Sequence, residues 1–122
     1  GDWHPGWATQ IVSGHPTLVQ DGVLIPNDFD GTLCTPRHPR TALGLTQDLH
    51  TLILAVIDGR DAPDALGMTC NELGQTMAFV GAHWAVNLDG GGSSALWLRD
   101  RIVNQPSDGV ERKVANHLGV VP

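Results

Sequence analysis

The sequence predicts an α+β fold: a mixed, mostly antiparallel β-sheet with one main helix packed on it. Three observations lead there. Of 13 acidic residues only Glu72 and Glu111 are glutamates, and Asp disfavours helix interiors where Glu favours them. Gly at 15 and Pro at 8 cut 122 residues into short segments, the pattern of strands and turns. Only Thr69 to Gly81 combines a capping box with helical spacing. The length suits one domain, 1–122, and not two independent cores.

Taken in order, Ala8 to Ser13 and Thr17 to Ile25 read as strands, the second broken by a turn at Gln20-Asp21-Gly22. Pro26, Gly31, Pro36 and Pro39 make 26–39 a loop. Arg40 to Thr46 and Thr51 to Asp58 form a hairpin through Gln47 to His50. The near-continuous apolarity of Leu52 to Ile57 predicts a central strand covered on both faces. Thr69 and Glu72 have capping-box spacing, Leu73, Met77 and Val80 follow at i, i+4 and i+7, and Gly81 supplies the stop. Trp84 to Leu88 is a strand, 89–94 a glycine-rich turn, and Ala95 to Arg99 another strand. Ile102 to Asn104 and Val114 to Val121 are expected to add edges.

Composition excludes several functions. A net charge of −6 and a pI near 5.2 argue against a nucleic-acid partner, which needs a basic face to displace counterions. No apolar run reaches the ~18 residues of a membrane span. The chain opens on Gly1 without Met or a signal peptide, and reads as processed or trimmed. Cys34 and Cys70 fit neither a zinc site nor a CxxC pair. Either they are two free buried thiols or they form one disulfide; the bridge is the expectation, and it implies a secreted or periplasmic protein.

Asp28-Phe29-Asp30-Gly31-Thr32 matches the DxDGT signature of haloacid-dehalogenase-type phosphohydrolases, in which the first Asp attacks phosphorus. Here Pro26 and Asn27 break the strand before it, and Lys113 has no following acidic pair to hold Mg²⁺. A solvated Asp/Gly turn is the preferred reading, with a phosphohydrolase using Asp28 as the alternative. Gly90 to Ala95 satisfies GxGxxA, but Leu96 to Arg99 reads as a strand where a dinucleotide site needs a helix.

Asp58-Gly59-Arg60 and Asp89-Gly90 stand at strand ends. If the two strands lie side by side, both carboxylates emerge at one sheet edge beside Arg60 and the turn Gly90, Gly91, Gly92, Ser93, Ser94, whose N–H groups can form an anion nest. Such a set suits an anionic, sugar-like substrate. The six histidines show no metal-ligand spacing, and His38, between Arg37 and Arg40, is the one near the proposed site. Trp3, Trp7, Trp84 and Trp97 are read mostly as core, with Trp97 the candidate for stacking on a sugar ring.

Arg37 to Gly44 (RHPRTALG), Val56 to Arg60 (VIDGR), Gly67 to Thr69 with Glu72-Leu73, Asn87 to Ser94 (NLDGGGSS) and Glu111 to Asn116 (ERKVAN) follow in order. Together they resemble the phosphodiester glycosidase family. The resemblance implies hydrolysis of a sugar 1-phosphodiester, such as one of N-acetylglucosamine on a phosphorylated glycan, with C1–O cleavage. It implies Asp89 and Asp58 as the carboxylates nearest the scissile bond and Arg40, Arg60 and Arg112 as phosphate and sugar clamps. Asn87 and Asn116 would hold hydroxyls, and Gly90 to Ser94 the nest. No cofactor is required, though either Asp could bind a divalent cation such as calcium. The family's earlier Asn-Gly-x-Phe-Phe-like segment has no match at Gly1-Asp2-Trp3. The chain is therefore expected to lack the domain's N-terminal portion and to be completed by a second chain or segment, or else to be a non-catalytic carbohydrate-binding remnant.

Overall fold

Two six-residue strands, β3 (Arg40–Leu45) and β4 (Leu52–Ile57), form the expected hairpin in the computed structural model, which describes residues 6–28 and 31–122. They pair antiparallel from Arg40↔Ile57 to Leu45↔Leu52. The turn between them is closed by Asp48, whose Oδ1 accepts from the Thr46 hydroxyl at 2.6 Å and from the His50 N–H at 3.1 Å. Strands β1 (Thr17–Gln20) and β2 (Val23–Leu24) pair across the turn at Asp21-Gly22.

The helix α1 (Cys70–Phe79) starts where its capping box requires. The Thr69 hydroxyl accepts from the Glu72 N–H, and the Glu72 carboxylate accepts from the Thr69 N–H, so two of the first turn's orphan donors are satisfied. Cys70, Leu73, Gly74 and Met77 face inward onto Leu18, Val19, Ala42, Ala82 and Ala85. Val80, read as part of the apolar stripe, is instead the exposed C-cap residue.

After the helix, β5 (Trp84–Asn87) inserts between β1 and β3, giving the order β2-β1-β5-β3-β4 with antiparallel pairings. This corrects one expectation directly. The apolar run Leu52 to Ile57 is an edge strand, because β5 returns to the other side of β3. Alternate residues on β4 remain open, Leu52 at 43% and Leu54 at 39% exposure. They share a sheet face with Leu43, Leu45, Trp84 and Val86 by register, opposite the face that α1 covers.

A separate two-stranded ribbon, β6 (Trp97–Leu98) and β7 (Arg101–Ile102), follows. Ala8 to Ser13 and Val114 to Val121 are irregular rather than strands; neither pairs with the sheet, whose β2 and β4 edges stay open. Trp97 and Trp7 are exposed rather than core, and Trp84 is half-buried, its indole N–H donating to Asp21. Trp3, His4 and the Phe29-Asp30 part of the DxDGT match lie outside the described residues.

The bridge Cys34–Cys70 is formed. It ties the proline-rich loop to the first residue of α1, and the Cys70 N–H donates to the Cys34 carbonyl at 3.0 Å. An ion pair of Arg37 with Glu72 fastens the same loop to the helix a second time. The loop is thereby held where it delivers residues 38–40 to the start of β3. Among the described residues no helix is long and apolar enough to cross a membrane.

Candidate functional site

β3 runs opposite to both β4 and β5, so the carboxyl ends of β4 and β5 and the start of β3 share one end of the sheet. Asp58 follows β4, Asp89 follows β5, and Arg40 opens the strand between them. The two aspartates are thus at one end as expected, but on strands separated by β3 rather than side by side. Pairing continues past the strand ends through Leu88 N–H to Thr41 O at 2.8 Å and Gly91 N–H to Pro39 O at 2.9 Å. These bonds draw the glycine turn against Pro39-Arg40.

A cleft of about 450 Å³ opens there, lined by His38, Arg40, Arg60, Asn87, Asp89, Gly90, Gly91, Gly92 and Arg112, together with Gly14, His15, Thr32 and Leu33. Arg40 is only 2% exposed. Its Nε donates to Met68 O and its Nη2 to Leu33 O and Pro36 O, at 2.8 to 3.0 Å. These carbonyls accept from Nε and Nη2 but, being neutral, do not offset the charge of the guanidinium. Burial, and then the neighbouring Arg60, push the Arg40 pKa down. Among the described residues neither Arg40 nor Arg60 has a carboxylate partner. In a chain of net charge −6, the lining of this cleft carries, among the described residues, three guanidiniums, Arg40, Arg60 and Arg112, against one carboxylate, Asp89.

Arg60 lies over the glycine turn. Gly91 has φ +60°, where a side chain is strained, and a Cβ there would meet the Arg60 guanidinium at 3.1 Å and press it to shift. Gly91 to Ser93 form a single 3-10 turn. The amides of Gly90, Gly91, Ser93 and Ser94 are engaged by Asp89 Oδ1, Pro39 O, Gly90 O and Gly91 O. Those donors are spent within the local structure, so the turn offers the cleft close backbone approach rather than an open ring of N–H groups. Arg112 stands at the rim, donating to Ser93 Oγ at 2.8 and 3.1 Å, with Asp108 3.5 Å away.

Two members of the set point differently from what their shared strand-end position suggests. Asp89 is exposed at the cleft, and the Gly90 N–H donates to its Oδ1 at 2.9 Å. Asp58 is outside the cleft lining; it accepts from Asn104 Nδ2 at 3.0 Å and from the Gln105 N–H at 2.9 and 3.0 Å. Asn104 also donates to Ser94 O and accepts from the Leu96 N–H, and Ser94 Oγ meets Thr41 Oγ1 at 3.0 Å. Asp58 and Ser94 therefore belong to a brace behind the glycine turn. Ser93 acts through Arg112, and Asn116 is exposed and outside the lining.

Asn87 is 3% exposed. Its Nδ2 donates to His15 O at 2.8 Å, which fixes the amide orientation, and its buried Oδ1 has no partner among the described residues. A buried acceptor left open beside a cleft favours a ligand donor there. Asn104 escaped the sequence reading because nothing in Asn104-Gln105-Pro106 distinguishes it from an ordinary loop. Asp108, four residues before Arg112, was equally hidden, because that spacing signals a pair only on a helix and 108–112 is irregular. Asp28 is exposed and outside the cleft. Trp97, at 54% exposure, does not line it either. Among the described residues no three His, Cys, Asp or Glu side chains gather as a metal-binding set.

A family model described as phosphodiester glycosidase matches residues 2–121. The SPbeta prophage-derived uncharacterized protein YomE of Bacillus subtilis is 36% identical over 84 residues, 69% of this chain and 13% of that protein. A putative exported protein from Burkholderia pseudomallei superposes with TM-score 0.58 at 43% identity, covering 63% of this chain and 15% of that one. The catalytic domain of zebrafish N-acetylglucosamine-1-phosphodiester alpha-N-acetylglucosaminidase, auto-inhibited by its pro-peptide, superposes with TM-score 0.68 at 26% identity, covering 79% and 34%. The chain thus spans from about an eighth to a third of the length of these relatives.

Proposed function

Because the chain belongs to the phosphodiester glycosidase family, we propose that its cleft binds a glycosyl phosphodiester and takes part in breaking the glycosidic C1–O bond. The observation that carries this reading is the pair of guanidiniums, Arg40 and Arg60, that share one cleft with Asp89 and have no carboxylate partner among the described residues. Such a site attracts an anion.

In this reading Arg60 and Arg112 hold the phosphate, with the buried charge of Arg40 behind them. Asn87 Oδ1 accepts from a sugar hydroxyl or amide, and Asn116 is assigned to a hydroxyl further from the scissile bond. Asp89 serves the anomeric centre. Water adds to C1, the C1–O bond breaks, and the oxygen leaves with the phosphomonoester. A phosphate leaves readily, so the demand on the protein is for preorganised cations more than for a strong acid. Asp58 takes a positioning role, holding Asn104 and through it the glycine turn. The substrate is a sugar 1-phosphodiester, such as one of N-acetylglucosamine on a phosphorylated glycan or polysaccharide. In this reading no cofactor is required, and a divalent cation such as calcium is an optional ligand of Asp89 or Asp58.

The Cys34–Cys70 bridge and the likeness to an exported protein support a secreted or periplasmic location. Replacing Asp89 with Asn is expected to lower sugar release from a GlcNAc-1-phosphodiester by on the order of 10²-fold or more, with Tm unchanged. Retained turnover would sink the assignment of Asp89.

A second reading is favoured by the open sheet face around Leu43, Leu52 and Leu54 and by the small share of the relatives that the chain spans. On this reading the chain binds glycosyl phosphates and turns over only when a second chain or segment completes it. Saturable binding without sugar release from the 122-residue chain is its expected signature.

A further inference from the structure

His38 reaches the cleft with its backbone clamped on both sides. Its N–H donates to Met68 O at 3.2 Å and its carbonyl accepts from the Met68 N–H at 3.0 Å. Its Nδ1 lies 3.4 Å from Arg60 Nη2. A guanidinium nitrogen can only donate, so at this contact Nδ1 is the acceptor and the imidazole proton belongs on Nε2. Nε2 makes no hydrogen bond to a described residue, and the ring lines the cleft. Burial, and then the neighbouring Arg60 and Arg40, disfavour a second proton and hold the His38 pKa below its ordinary value.

We infer that His38 is a ligand-binding residue: a neutral imidazole whose tautomer Arg60 sets, presenting Nε2–H as a hydrogen-bond donor to an anionic oxygen bound between Arg60 and the glycine turn. The inference rests on the proposed phosphate-binding role of the cleft, but not on turnover. The arrangement places an uncharged, directional donor beside cations. Guanidiniums supply attraction over distance, and the imidazole adds orientation that a cation alone does not impose.

The test is a long-range ¹H–¹⁵N correlation spectrum of the ¹⁵N-histidine-labelled protein at neutral pH, with and without dimethyl phosphate as probe. The His38 spin system is expected to show a bare Nδ1 and a protonated Nε2, and saturating dimethyl phosphate is expected to shift Nε2–H. His38→Ala should weaken binding of the probe about tenfold, the scale of one hydrogen bond to a charged group. His38→Gln, whose amide nitrogen reaches the Nε2 position, should recover most of that loss. A protonated Nδ1, or an Nε2–H that the probe leaves unmoved, overturns the inference. The wild-type spectra need no variant to fold. Loss of sugar release with the Nε2–H shift intact would defeat the glycosidase reading while leaving His38 in its role.

Discussion

Asp58 and Asp89 have the same local sequence, an aspartate before glycine at the end of a strand, and their surroundings divide them. Three hydrogen-bond contacts from Asn104 and Gln105 occupy Asp58, whereas one N–H, from Gly90, reaches Asp89. The first is a brace and the second is available to a ligand. Asn104→Ala removes the donors to Asp58 and Ser94 and the acceptor for Leu96. It is expected to cost about 1 to 3 kcal/mol, measured by urea unfolding. An unchanged midpoint would show that the brace contributes nothing. Arg40 follows the same logic: the family resemblance implied a clamp, but its Nε and Nη2 are committed to three carbonyls, so its charge more than its donors is what the cleft receives.

The β3–β4 hairpin was legible from two strand-sized segments and the short Gln47-to-His50 connection between them, because both are local properties. Its stability has a local pH dependence. Asp48 is held below the usual carboxylate pKa by the Thr46 hydroxyl and the His50 N–H. A depressed folded-state pKa means the unfolded chain binds the proton more readily, so the contribution is present above the ordinary aspartate pKa and fades as pH falls below it. Asp48→Ala should therefore lower Tm slightly at pH 7, and the difference from the wild type should shrink as pH falls through and below the ordinary aspartate range. A Tm difference independent of pH would refute that origin. The helix was equally legible at its start, where Thr69 and Glu72 form both halves of the capping box. Its end was not, since Val80 continues the apolar spacing yet caps the helix in solvent. Periodicity describes a face, and it carries no information on whether anything lies opposite.

At the scale of the whole molecule, nine hydrophobic residues among those described form the buried core cluster, and both cysteines are in it. The bridge spans 36 positions, and closing such a loop stabilises by about 4 kcal/mol in the chain-entropy picture. For a domain of this size that is a large share of the total. Reduction with dithiothreitol is expected to unfold the chain at 37 °C or lower its Tm by more than about 10 °C. A small shift would mean that the α1–sheet core suffices alone.

The sequence by itself determined the elements whose causes are local: the capped helix, the hairpin, the β1–β2 turn, and the two aspartates and the glycine turn at strand ends. The ordered motifs carried the family as well. What only the tertiary structure decided is the neighbour relation. Insertion of β5 between β1 and β3 turned the most apolar strand into an edge, set Arg40 between the two aspartates, buried Asn87 with an open acceptor, and separated Asp58 from the cleft. Each of these depends on which strand pairs with which across tens of residues, and periodicity and spacing record only what a segment does within itself.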